Sequence, residues 1–304
     1  MTKNKYNNST NFNRFNLGEL EITIMSDGYQ IMKPAHPIFG PTTKPEIIKE
    51  LLQQNFRQTE QVNLSINIML IKKQNQLILI DSGLGSEEST AGYLQQSLIF
   101  AGFKSTDITD IIITHCHLDH IAGLVNQKKD LAFPNATIYL AETEYDFWTS
   151  SKPDFSKSFL QNNPALISKM VSKINDLLNI IKPKLKLTKQ DAVLFECIRL
   201  ISAPGHTPGH TLLDIFSHDE KILHIADLIH SDVLLFTHPE WGFLFDTDFD
   251  LAITTRKNML EILEKSKVLI FAYHLPWPGL GHVSCDHSAF KWIPKVYDTP
   301  FDQY

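Results

Sequence analysis

The chain reads as an α/β protein. Three observations carry that reading. Short apolar, β-branched runs stand in both halves of the sequence; segments of helical spacing lie between them; and no Pro-, Ser- or Gly-rich linker divides the 304 residues. The order strands–helix–strands–helix recurs once, which permits two similar halves facing each other.

Taken in order, residues 1–16 are polar and Asn-rich and are expected as a flexible tail before a single domain over 17–304. LGELEITIMSDG (17–28) alternates as a strand and meets a turn signal at Asp27-Gly28. KPEIIKELLQQNF (44–56) has helical spacing with Pro45 near its start. VNLSINIMLIKKQNQLILIDSG (62–83) predicts a hairpin turning at 73–76, and STAGYLQQSLIFAGF (89–103) a helix ending at Gly102. A buried strand, IIIT, then delivers the chain to a histidine-rich turn. Residues 136–148 pass from strand to helix, and 155–183 are mostly helical with Pro164 as a break. VLFECIRLISAPGHTPGHTLLDIF (193–216) predicts strand, Gly/Pro loop, strand. KILHIAD (221–227) is a strand ending in Asp, 250–263 a helix, and KVLIFAYHLPWPGLGH (267–282) a strand entering a Pro/Gly loop.

At 43% hydrophobic, the chain has ample material for a sizeable core. Lys plus Arg total 28 against 34 Asp plus Glu, a net charge of −6, and no basic stripe stands out; nucleic acid is not an expected partner. Three cysteines, Cys116, Cys197 and Cys285, form no CxxC pair and fit a reducing compartment. No segment approaches the roughly 18 apolar residues of a spanning helix, and no signal-peptide core is visible, so a cytoplasmic location without membrane contact is expected. Room is left for a homodimer.

The chemistry concentrates at HCHLDH, where His115, His117, Asp119 and His120 fall within six residues at a strand end. One histidine there would be an ordinary loop residue. Three later strand ends each add another candidate: His206 in APGHTPGH, Asp227 in HIADLIH and His274 in FAYHLPWPG. Nitrogen and carboxylate donors without thiolates suit two divalent ions, with zinc expected, in an open catalytic site. His115, His117 and His206 would hold one ion and Asp119, His120 and His274 the other, with Asp227 bridging. Such a pair makes a shared hydroxide available near neutral pH.

THCHLDH, followed by a distant Gly-His, Asp and His, resembles the metallo-β-lactamase superfamily, and the likeness runs from LILIDSG (77–83) to HLPWPGLGH (274–282). It implies a four-layer αββα sandwich with the metals at one edge. APGHTPGHT, ADLIH, HLPWPGLGHV and FKWIPKVY look like the methyl-parathion-hydrolase-like branch, which includes N-acylhomoserine lactonases of the AidC type. The activity this implies is opening of an acylhomoserine lactone ring, as in quorum quenching. The bridging hydroxide would attack the carbonyl, one ion would polarise its oxygen, and the other would hold the leaving oxygen. Asp119 would shuttle the proton, and a hydrophobic pocket would take the acyl chain. The rival is an organophosphate triesterase; from another class, a non-catalytic zinc-binding protein. Where Bacillus-type lactonases carry a substrate-contacting tyrosine three residues past the bridging aspartate, this chain has His230, either a hydrogen-bond donor or a wall of the pocket.

Other residues admit plainer readings. Asp81 either orients a ligand imidazole or caps the next turn. Cys116 alternates away from its neighbours into packing. His210, His224 and His282 are expected in structural hydrogen bonds. Core packing accounts for most of the aromatic residues of 234–245, Trp148 and Trp277, although the loops beside the ligands are where an acyl wall would stand.

Overall fold

The structure, a computed structural model, describes residues 12–85, 90–286 and 289–296. Seven strands make the first sheet in sequence order: β1 (Phe12–Leu17), β2 (Leu20–Met32), β3 (Val62–Lys73), β4 (Gln76–Ile80), β5 (Asp110–Ile113), β6 (Thr137–Ala141) and β7 (Leu185–Thr188). The second contains β8 (Val193–Leu194), β9 (Ile198–Ser202), β10 (Thr211–Ser217), β11 (Glu220–His224), β12 (Leu269–Phe271), β13 (Leu280–Asp286) and β14 (Ala289–Pro294), again in sequence order.

Period-two alternation assembles the layers. On β3, Met69 and Ile71 face the other sheet, while Ile66, Ile68 and Leu70 face the helices outside. Ile78, Ile80 and Ile112 of the first sheet meet Leu213, Ile215, Ile222 and Phe271 of the second in one fully buried cluster. Burying each such side chain contributes about 1.5–3 kcal/mol. The first sheet's outer face packs on helices Leu94–Phe100, Glu142–Thr149 and Pro164–Ile181 through Leu98, Trp148, Ile174 and Leu178. The second sheet's outer face packs on helices Pro45–Gln54 and Phe249–Ser266 through Ile48, Leu52, Leu260 and Leu263. The expected four-layer αββα sandwich is the observed fold.

Local expectations are corrected in four places. Residues 12–16, assigned to the tail, belong to β1, which pairs antiparallel with β2; residues 1–11 lie outside the described residues. Asp27-Gly28 does not turn the chain: β2 runs through it with a register shift between Ser26 and Gly28. The Asp27 carboxylate there accepts the N–H groups of Leu84 at 2.9 Å, Gly92 at 3.2 Å and Leu94 at 2.7 Å. The helix expected over 89–103 is confined to Leu94–Phe100, and residue 89 is outside the described set. Pro164 begins a helix rather than breaking one, because the first helical position needs no N–H, and the Asn163 side chain caps it.

Both sheets present parallel pairs at the same edge. β4 runs parallel to β5, and β11 parallel to β12. The last register pairs are Ile80–Ile112 and His224–Phe271, so the chain leaves the sheets toward Asp81, His115, Asp227 and His274 side by side.

Candidate metal centre

All seven residues singled out in the sequence meet at that edge. His115 Nε2 lies 3.1 Å from His117 Nδ1, which lies 2.8 Å from His206 Nε2. Asp227 Oδ2 is 3.6 Å from His115 Nε2 and 3.3 Å from His206 Nε2. On the other side, Asp119 Oδ2 is 3.2 Å from His274 Nε2 and 3.8 Å from His120 Nε2. Asp227 reaches this group as well, with Oδ1 3.1 Å from His120 Nε2 and Oδ2 3.2 Å from His274 Nε2. Donors about 2.0–2.1 Å from a tetrahedral ion stand roughly 3.3 Å apart, and these separations bracket that value. The donor atoms gather as His115, His117, His206 and Asp227, as Asp119, His120 and His274, and as Asp227, His230 and His274, so that Asp227 stands between the two triads expected from the sequence and His230 joins the cluster.

The donor chemistry fits cations. His120 Nε2 and Asp227 Oδ1 are buried without a hydrogen-bond partner, and a positive ion between such groups satisfies both. Burial holds His115 and His117 well below the ordinary imidazole range, in the neutral form that ligates. Burial alone would raise the Asp227 carboxyl; the charge of the surrounding histidines, His120 first, outweighs it and keeps the group ionised.

Outer partners aim the rings. His120 Nδ1 lies 2.9 Å from Asp81, whose carboxylate also accepts from the Thr114 N–H and hydroxyl at 2.8 Å each. Of the two readings of Asp81, orienting a ligand imidazole is the observed one. His274 Nδ1 donates to Ser65 O at 2.8 Å, and His206 Nδ1 donates to Asp246 Oδ1 at 2.9 Å. Cys116 is buried in the core, its thiol pushed up by that burial. His210 donates from Nδ1 to Ala203 O at 2.9 Å and accepts the Asp227 N–H at 3.1 Å. His224 accepts from Ala226 N, and His282 lies against the Lys267 and Val268 carbonyls.

His230 stacks on Phe243, with ring centroids 3.9 Å apart and planes 19° apart, and its Nε2 is 3.1 Å from Asp227 Oδ2. Burial lowers its pKa to about 4 against the pull of Asp227, so the ring is neutral. Asp119 is held below the usual carboxylate range: burial alone would raise it, and His120 and His274 outweigh that effect.

A cavity of about 310 Å³ opens on His117, Asp119, Asp227 and His274. Its apolar wall includes Met32, Leu64, Leu166, Met170, Phe243 and Phe245. A second cavity of about 230 Å³ lies across His230 and His274, between Leu52, Arg57, Val62 and Val233. Helix Pro164–Ile181 lines the first cavity and helix Pro45–Gln54 the second. Trp148 and Phe236 are core, as their composition suggested.

Sequence reasoning missed Asp246, Glu144 and Arg256. Asp246 lies 40 residues from the His206 it touches, and Glu144 sits in a helix whose polar residues look solvent-facing. Neither carries a spacing signal.

The sequence profile of the metallo-beta-lactamase superfamily matches residues 62–274. The chain belongs to that superfamily. Its structure superposes on that of AidC, a dizinc quorum-quenching lactonase solved with a homoserine product, with a TM-score of 0.91 and 41% identity over 95% of this chain and 98% of that one. The AbOPH hydrolase of the same superfamily gives a TM-score of 0.87 at 29% identity, covering 96% of this chain and 99% of that one. The N-acyl homoserine lactonase of a Bacillus species is 26% identical over 175 residues, 57% of this chain. That match spans 58% of the lactonase's own length. The AidC likeness expected from the sequence is thus observed, as is a donor set for two divalent metals. Among the described residues, no helix is long and apolar enough to cross a membrane.

Proposed function

We propose that the chain hydrolyses the lactone ring of N-acylhomoserine lactones to the open hydroxy acid, with zinc as its resident metal. The observation that carries this reading is the 310 Å³ cavity, which places an apolar wall against the shared donor cluster. The ester would meet the cluster while the acyl chain lies along Met32, Leu64, Phe243 and Phe245. Similarity to a dizinc quorum-quenching lactonase supports it.

When bound, two such ions supply Lewis-acid activation of the carbonyl and a water of lowered pKa. His115, His117 and His206 would hold one, Asp119, His120 and His274 the other, and Asp227 both. Asp119, ionised and lining the cavity, would take the proton that the attacking water loses and pass it to the leaving ring oxygen. His230 stays neutral and presents its Nε2–H beside Asp227, at the wall of both cavities. The reading extends to a cytoplasmic enzyme without a nucleic-acid partner, and to a homodimer that sedimentation would test.

The decisive experiment compares kcat/KM on metal-replete protein for butanoyl-, hexanoyl-, decanoyl- and dodecanoyl-homoserine lactone, a paraoxon-type triester and a β-lactam. Affinity should rise with acyl length, by at most about 0.8 kcal/mol per buried methylene, until the wall ends. Inert lactones with rapid triester turnover would replace this reading by the triesterase; inertness toward all would leave the non-catalytic zinc protein.

A further inference from the structure

The helix Phe249–Ser266 carries a guanidinium into the layer beneath the site. Arg256 is 1% exposed, and each of its bonds reaches a different part of the metal centre's support. Nε donates to Leu228 O at 2.8 Å, immediately after Asp227. Nη1 donates to Pro239 O at 3.0 Å, in the turn that leads to Phe243, the ring under His230. Nη2 lies 3.3 Å from Asp246 Oδ2, and the other oxygen of that carboxylate takes the His206 Nδ1–H at 2.9 Å. Asp246 Oδ2 also accepts the Phe243 N–H at 3.1 Å.

A buried guanidinium costs several kcal/mol in desolvation unless it is paired and fully hydrogen-bonded. A core helix needs no such group for packing alone. The fork here spans three acceptors that a lysine could not reach together. We propose that Arg256 is a positioning residue: through Asp246 it aims His206 at the ion shared with His115 and His117. Asp246 fixes the His206 tautomer, leaving the Nε2 lone pair toward the cluster, and Arg256 fixes the plane of Asp246.

This inference rests on the metal reading of His206 and Asp227, and not on the substrate. The test titrates metal-free protein with Co²⁺, following visible absorption, with circular dichroism reporting the fold. The His206 position is identified as the one lost in His206→Ala. Wild-type protein should take two equivalents; one or none would sink the metal reading itself. Asp246→Asn should weaken cobalt at the His206 position by roughly 10- to 100-fold and alter its absorption bands. Arg256→Lys should weaken the same position, with thermal unfolding still cooperative. The double variant should bind no more weakly than Asp246→Asn alone, because both changes act through one carboxylate. Should Arg256→Lys not fold, Arg256→Met, which keeps the length and removes the donor toward Asp246, takes its place. Two equivalents in wild type with unchanged affinity and bands in the Arg256 variant, or losses that multiply in the double variant, would overturn the proposal.

Discussion

Glu144 holds Gly209. Its Oε2 accepts the Gly209 N–H at 2.9 Å, while Oε1 accepts Cys116 N–H at 2.9 Å and Trp148 Nε1–H at 2.7 Å. One buried carboxylate thus ties the turn of His115 and His117, from the first sheet, to the loop of His206, from the second. The approach is close: a Cβ at position 209 would stand 2.3 Å from the Glu144 nitrogen. Glu144→Gln should lower the thermal midpoint and loosen metal binding. Its amide NH₂ would face an N–H, and an unmet buried donor costs about 1–3 kcal/mol. A calorimetric scan with metal analysis checks this; a midpoint equal to wild type would remove the tie from the account.

Asp227→Asn keeps the shape of the shared carboxylate and removes its charge between two cation positions. Metal content should fall below two ions per chain. Turnover should drop by more than the 10- to 100-fold typical of outer partners, with the fold retained. Metal content by mass spectrometry beside kcat decides it: two ions and full activity would end the role of Asp227 as bridge.

His230→Ala, measured at full metal loading, should lower kcat by roughly 10²-fold, as lost donors near a developing oxyanion do. A wall residue would instead move KM more than kcat. The kcat/KM split separates the two, and an unchanged kcat with both ions present excludes the donor role.

Burial raises the Asp27 carboxyl from 3.8 to about 6, despite three backbone donors. Because the folded-state value is the higher one, its contribution is fully present below pH 3.8 and is lost as pH rises to about 6. Between those limits the stability of wild type relative to Asp27→Asn should fall by about 1.4 kcal/mol per pH unit, then level off. Urea unfolding of both proteins at pH 4, 5, 6 and 7 measures the slope. A constant difference would mean that Asp27 does not titrate in this window.

The donor set was legible because each member follows an apolar strand directly, so local pattern placed it at a sheet end. The four layers followed from family resemblance rather than from periodicity, since alternation alone names faces and not partners. β1 was not legible: FNRFNL is half polar, and only pairing with β2 makes it a strand. The Asp27 bulge looked like a turn because its three N–H donors come from residues 57 to 67 positions away. Asp246, Glu144 and Arg256 escaped for the same reason: a buried carboxylate or guanidinium is defined by what surrounds it.

The two sheets also meet through their backbones at this edge: Thr211 N donates to Thr114 O at 3.0 Å, and Asn67 N to Tyr273 O at 3.0 Å. Each donor group draws on both halves, His115 and His117 with His206, and Asp119 and His120 with His274. Neither half of the chain, made alone, offers either ion more than two terminal donors beside Asp227. On that ligand assignment, a full set of three terminal donors for either ion would form only once the second sheet has closed on the first. Each ion would then act as a rivet between the halves, and separating the sheets would break its coordination.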